Sequence, residues 1–184
     1  MKEKDVVSIL KGQGWVCSKD EIGDYFCVAD IGGGVNVQVI PSVRKRSDHF
    51  RVSLMTSVST TEFSEAVAFV QGEGAGYSPV IVSTAPPEKL CGFSSEDVLR
   101  ISEKAISWAR SQNIESGLMV YRNMPTDAKG AMPLRHLAAL AVAGDVERLE
   151  CYRKSFERGD RLGFVPYITA AMIDRAVFKA KNAK

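Results

Sequence analysis

The feature that most constrains this chain is a change of hydrophobic period along it. Between residues 15 and 58 apolar side chains alternate with polar ones, through Tyr25-Phe26-Cys27-Val28, then Val35, Val37 and Val39, then Phe50, Val52, Leu54 and Val58. Alternation sends successive side chains to opposite faces of an extended backbone, so this segment reads as an antiparallel meander of three or four strands. Its turns fall at Ile22-Gly23-Asp24, at Gly32-Gly33-Gly34 and in the polar run 44–48, where glycine and polar residues tolerate the angles a reversal needs. After residue 94 the period lengthens to that of a helix. Strands followed by helices predict an α+β fold: a mostly antiparallel sheet of about five strands packed with helices, and a C-terminal helical subassembly.

Start and stop signals place the helices. Val6, Val7, Ile9 and Leu10 share one side of an opening helix over residues 3–12, and Gly12 and Gly14 stop it. Thr60 or Thr61 caps a helix carrying Phe63, Ala66, Val67, Phe69 and Val70, which breaks in Gly72-Glu73-Gly74-Ala75-Gly76. Pro79-Val80-Ile81-Val82 reads as one more strand, at an edge or a strand start because proline has no N–H to donate. Ser94 or Ser95, with Glu96 and Asp97 behind it, opens a helix through Val98, Leu99, Ile101, Ala105, Ile106 and Trp108 whose stripe should lie on the sheet.

Residues 114–132 are ambiguous: 118–121 could form a strand, and 123–131 read as a loop. Pro133 suits a first helical turn, residues 134–143 are apolar on nearly all sides, and Gly144 ends them. Asp145 caps a helix with Val146, Leu149, Tyr152 and Phe156, and Thr169 caps a last one with Ile173, Ala176, Val177 and Ala180. The 134–159 pair looks like half of an ankyrin unit, but no second copy follows, so it reads as an isolated helical hairpin packed on the sheet.

A length of 184 residues fits one domain, here an N-terminal helix and meander over 1–92 and a mainly helical 93–184. The net charge of +2 is too small to announce a nucleic-acid partner, because a duplex binder concentrates cations in a stripe. Residues 1–92 hold nine Lys/Arg against eleven Asp/Glu, and residues 93–184 fifteen against eleven, a weak asymmetry. The opening Met1-Lys2-Glu3-Lys4-Asp5 leads into no apolar run of a secretory signal, and the near-apolar stretch 137–143 is far too short to span a bilayer. The expected compartment is the cytoplasm, with Cys17, Cys27, Cys91 and Cys151 as reduced, mostly buried thiols.

Chemistry-bearing patterns are sparse, and each has a plain structural reading. The Gly32 and Gly72 runs sit in hairpin-like and helix–loop–strand order, whereas a phosphate cradle must lead into a helix N-terminus. Neither His49 nor His136 has a partner at metal-ligand spacing. His136 reads as a satisfied, half-buried helix residue. The basic turn Arg44-Lys45-Arg46 reads as a polar hairpin end rather than a phosphate contact, since no aromatics interleave with it. No catalytic, cofactor-binding or metal-binding residue is assigned. Asp20, Glu21 and Asp24 lie in an acidic stretch free of basic residues and are the candidate contacts for a basic partner.

The C-terminal run HLAALAVAGDVERLECYRKSFERGDRLGFVPYITAAMIDRAV, above all Gly159-Asp160-Arg161-Leu162-Gly163-Phe164-Val165-Pro166-Tyr167-Ile168-Thr169, follows an N-terminal helix and a meander. It is similar to a bacterial family associated with immunity proteins of polymorphic toxins and contact-dependent growth inhibition. The resemblance implies a cytoplasmic antidote, not an enzyme. Such a protein binds a cognate toxin domain, often a nuclease, and inhibits it stoichiometrically, using no cofactor and touching neither nucleic acid nor membrane. The alternative is a secretion or effector chaperone, expected to dimerise and to offer an apolar groove to an unfolded segment. A third reading, an enzyme, would assemble Cys91, His136 and an acid from afar.

Overall fold

The computed structural model describes residues 1–20, 22–72 and 76–183. Its elements run α1 (Glu3–Gly12), β1 (Val16–Lys19), β2 (Tyr25–Asp30), β3 (Val35–Lys45), β4 (Phe50–Thr60), α2 (Thr61–Gln71), β5 (Ile81–Ser83) and β6 (Glu88–Leu90). Then follow α3 (Ser95–Ser111), α4 (Ile114–Arg122), α5 (Met132–Val142), α6 (Val146–Glu157) and α7 (Ala170–Lys181). The fold is α+β. The chain forms two compact units, one of Met1–Ser59 with Ile81–Gln112 and one of Thr60–Val80 with Asn113–Lys184.

The first unit is a sheet with strand order β1-β2-β3-β4-β5, and β6 also pairs with β4. The pairs β1–β2, β2–β3, β4–β5 and β4–β6 are antiparallel. β5 lies opposite Thr56, Ser57 and Val58, and β6 opposite Phe50, Arg51 and Val52, so both run along one edge of β4. Between them Pro86 and Pro87 lack N–H groups and the ladder is interrupted. The meander contains four strands, and the run beginning at Pro79 becomes a strand only at Ile81. Nothing in Glu88-Lys89-Leu90 favours a strand on its own, and pairing with β4 decides it.

The two helices of this unit, α1 and α3, pack on each other, and both pack on β3. They bury Val6, Val7, Leu10, Val98, Ile101 and Ala105 against Cys27, Val37, Val39, Val52 and Leu54. α3 starts with a reciprocal cap: Ser94 Oγ accepts from Asp97 N (3.4 Å) and Asp97 Oδ2 accepts from Ser94 N (3.0 Å).

The cysteine expectation needs correction. The β1–β2 register sets Cys17 opposite Cys27 with Cα atoms 4.0 Å apart, and the two form a disulfide. Cys91 and Cys151 are free but exposed. The pairing was illegible in the sequence because it depends on register, which a one-residue slip would abolish.

The second unit is helical. Thr60 Oγ1 caps α2 by accepting from Phe63 N (3.1 Å). At the other end Gly72 adopts a left-handed φ of 96°, while Arg175 of α7 donates to the carbonyls of Val70 (2.9 Å) and Gln71 (3.0 Å). Residues 118–121, read as a strand, lie in α4. Asn113 Oδ1 caps that helix through Ser116 N (2.9 Å), and Leu118 and Tyr121, three apart, are its buried residues.

α5 is the central helix of this unit, with eight buried residues, and it packs on α2, α4, α6 and α7. The α5–α6 hairpin packs among the helices of its own unit, because α5 is apolar on nearly all sides and needs neighbours around it. Around it lie Val70, Leu149, Phe164, Ile168, Ile173 and Val177. No helix among the described residues is long and apolar enough to cross a membrane.

Candidate functional site

Each chemistry-bearing side chain can be followed to its partners. His136 is 0% exposed, more buried than its sequence context suggests. Its Nδ1 lies 2.8 Å from the Tyr121 carbonyl and its Nε2 lies 3.0 Å from the Tyr152 hydroxyl. A carbonyl only accepts, so Nδ1 carries the proton and Nε2 accepts from Tyr152. Burial pushes the His136 pKa below the usual imidazole value, with the Tyr121 carbonyl acting in the opposite sense. Both nitrogens are used inside the unit, leaving none for Cys91. His49 pairs with Asp48 (2.7 Å) at the β3–β4 turn, and that hydrogen bond holds the Asp48 carboxyl below its usual range. Among the described residues no group of three or more His, Cys, Asp or Glu is placed to hold a metal.

Asp20 and Asp24, the candidate partner contacts, bracket the β1–β2 turn. Asp20 Oδ1 accepts from Ile22 N (3.1 Å) and Asp24 N (2.8 Å), so one carboxylate oxygen is committed to shaping the turn. Asp24 is exposed, and Glu21 lies outside the described residues. Gly32-Gly33-Gly34 forms the β2–β3 turn, where Asp30 Oδ1 accepts from Gly32 N (2.8 Å). Of the Gly72 run, residues 73–75 also lie outside the described residues.

The loop 159–169, on which the family resemblance rests, is held from within. The Arg161 guanidinium donates to the carbonyls of Val165 (2.9 Å), Pro166 (3.3 Å) and Ile168 (2.7 Å). Asp160 Oδ1 accepts from Leu162 N (2.9 Å), and Leu162 has a φ of 52°. Thr126 Oγ1 donates to the Leu162 carbonyl, and the Tyr167 hydroxyl donates to the Gly130 carbonyl (2.8 Å). Phe164 packs edge-on to Tyr152 and Phe156. These residues have structural work, closing the connection from α6 to α7 over the core.

Two surfaces combine exposed apolar residues with a cavity or groove and bear on binding. In the first unit α1 and α3 cover one face of the sheet, and the alternate residues form the other. By register that face joins Val16 and Val28, Ser18 and Phe26, and Ser57 and Val82, with Ile40 and Met55 in the alternating positions of β3 and β4. Val16 is 71%, Val82 51% and Met55 41% exposed. At the far end of the same face Ser42, Arg44, Arg51, Ser53 and Pro87 line a cavity of about 210 Å³.

In the second unit Phe69 of α2 and Phe178 of α7 stand 6.1 Å apart, 40% and 62% exposed. With Ala141, Val142, Ala183 and the polar residues Glu62, Lys179 and Asn182 they line a groove of about 380 Å³.

Comparison with known proteins adds one assignment. The model of a family of unknown function, DUF6990, matches residues 2–181. The chain belongs to this family. No curated protein and no solved structure matches it. The DUF6990 match runs through both units, so neither is an addition to the family's common length. In this DUF6990 chain the sequence located Arg44 as a hairpin cation but missed Arg51 and Lys89, which share its face. Alternation signals Arg51 once the turn is fixed at residues 47–48, whereas Lys89 is brought in by a strand the sequence does not announce.

Proposed function

We propose that this chain acts by stoichiometric binding of a folded protein, in the form the resemblance implies: an antidote that holds a cognate bacterial toxin domain inactive. The observation that carries the reading is the open sheet face. Val16, Phe26, Val28, Ile40, Met55 and Val82 place apolar area on paired strands, and a preformed apolar face with a polar margin is the usual mark of a protein contact. Rigid strands bind a folded surface with little ordering cost. In this reading the chain performs no chemistry of its own, takes no cofactor or metal, and works in the cytoplasm without touching nucleic acid or membrane. A reducing cytoplasm would hold Cys17 and Cys27 as thiols.

The second reading is a secretion or effector chaperone, favoured by the Phe69–Phe178 groove, whose apolar lining suits an apolar segment. Co-expression with the product of the immediately upstream gene tests both. The antidote reading expects a one-to-one complex in which a toxic activity is suppressed, abolished by the Met55→Glu/Val82→Glu double variant and retained by Phe178→Glu. Loss on Phe178→Glu, with the partner bound only while unfolded, moves the assignment to the chaperone. Absence of a complex overturns both.

A further inference from the structure

The cationic end of the sheet face carries a separate inference. Arg46 N–H donates to the His49 carbonyl (2.8 Å) across the β3–β4 turn, and regular antiparallel pairing from there sets Arg44 across from Arg51 and Ser42 across from Ser53. Both pairs line the same cavity, in agreement with that register. On the other side of β4, Arg51 lies opposite Lys89. Three cations therefore stand in one row across three neighbouring strands, with two hydroxyls in the next row along the same face.

Like charges directly opposite each other on a sheet are destabilising. An acid between them would remove the cost, but none of the three cations has an ion-pair partner among the described residues. The two carboxylates adjacent in sequence are occupied elsewhere. Glu88 pairs with Arg100 (2.7 Å) and Lys104 (3.6 Å), and Asp48 pairs with His49 (2.7 Å). The repulsion is left for a ligand to relieve.

We propose that Ser42, Arg44, Arg51, Ser53 and Lys89 form a binding site for a phosphate group, taken as free inorganic phosphate or as the monoester end of a small molecule. A tetrahedral dianion in the cavity presents oxygens to both guanidinium forks and to the hydroxyls, while Lys89, opposite Arg51 but outside the cavity lining, adds positive charge from the next strand. A planar carboxylate fills one fork and leaves the second arginine unpaired. The cavity, about 210 Å³, admits the phosphate and part of its substituent. The site does not depend on the antidote reading and stands or falls without a protein partner.

The test is a calorimetric titration of the full chain at low ionic strength with inorganic phosphate, with adenosine 5′-monophosphate and with glutamate. Binding of phosphate is expected to weaken at least ten-fold in Arg44→Gln/Arg51→Gln and to stay within two-fold of the parent in Lys45→Gln, which removes a charge from the same hairpin on the opposite face. Circular dichroism melting confirms that each variant is folded, and Lys89→Gln, with both arginines intact, should weaken binding by a smaller factor. Binding of phosphate without the nucleotide assigns the free ion, and tighter binding of the nucleotide assigns a monoester. No binding of either, equal binding by the double-arginine variant, or glutamate binding as tightly as phosphate overturns the site.

Discussion

The sheet unit and the helical unit bury similar kinds of residues but differ in what they leave outside. In the sheet unit, helices α1 and α3 cover one face, and alternation along each strand forms a second face that neither helix covers among the described residues. In the helical unit, α5 is enclosed by four other helices and even its histidine is 0% exposed and hydrogen-bonded at both nitrogens. A strand buried on one side turns its alternate residues to the other, which leaves Val16, Met55 and Val82 exposed while Ser57 and Ser59 on that face of β4 are buried. A helix apolar on nearly all sides turns inward, and the apolar surface of this unit is carried by its outer elements, as at Phe69, Phe178, Met119 and Val120. The sheet unit is therefore the place to look for recognition, and the interior of the helical unit the place to look for stability.

Removing side chain from α5 should show the largest effect. Leu137 is 0% exposed at the centre of the helical core, and Leu137→Ala is expected to cost about 2–5 kcal/mol through lost transfer energy and a residual cavity. Urea unfolding measures the total, and amide hydrogen exchange locates it. Protection should fall first in α5, α6 and α7, and equal loss in the β2–β3 amides would show that the two units unfold as one.

The matching test on the sheet unit removes its cross-link. Cys17 and Cys27 are separated by 10 residues, a closure worth about 2–4 kcal/mol on chain-entropy grounds. Cys17→Ala/Cys27→Ala, or reduction of the parent protein, should lower the unfolding free energy by that amount, with a lower midpoint, and speed exchange in β1 and β2. An unchanged midpoint would mean that α1 and α3 alone hold the sheet.

The smallest effect is a pH slope confined to the helical unit. Burial lowers the folded pKa of His136 from its ordinary value of 6.5, so the folded state keeps it neutral while the unfolded chain takes up a proton. Stability is then complete above about pH 6.5 and declines as pH falls through the window between the unfolded and folded values, by at most about 1.4 kcal/mol per pH unit. His136→Gln should flatten this slope, measured by urea unfolding at a series of pH values. A slope that survives the substitution would show that His136 is not its source.

Much of the fold was legible because its signals are local. Thr60, Ser94, Asp145 and Thr169 all cap the helices their sequences announce, since a cap needs only a side-chain oxygen within three residues of a free N–H. Residues 118–121 misled because Leu, Met, Val and Tyr alternate as readily in a strand. Only the cap at Asn113 and the burial of Leu118 with Tyr121 settle them as a helix. Of the candidate contacts, Asp20 turned out to have a structural task that sequence charge does not reveal.

The sequence by itself determined the period of each segment, the helix ends and the α+β class, because these depend on neighbours a few residues apart. The tertiary structure alone decided that Cys17 meets Cys27, that Lys89 joins Arg51 in one row, and that α5 lies among α2, α4, α6 and α7. Those facts rest on strand register and helix packing, which couple residues tens of positions apart and are fixed only when the whole apolar surface is buried together.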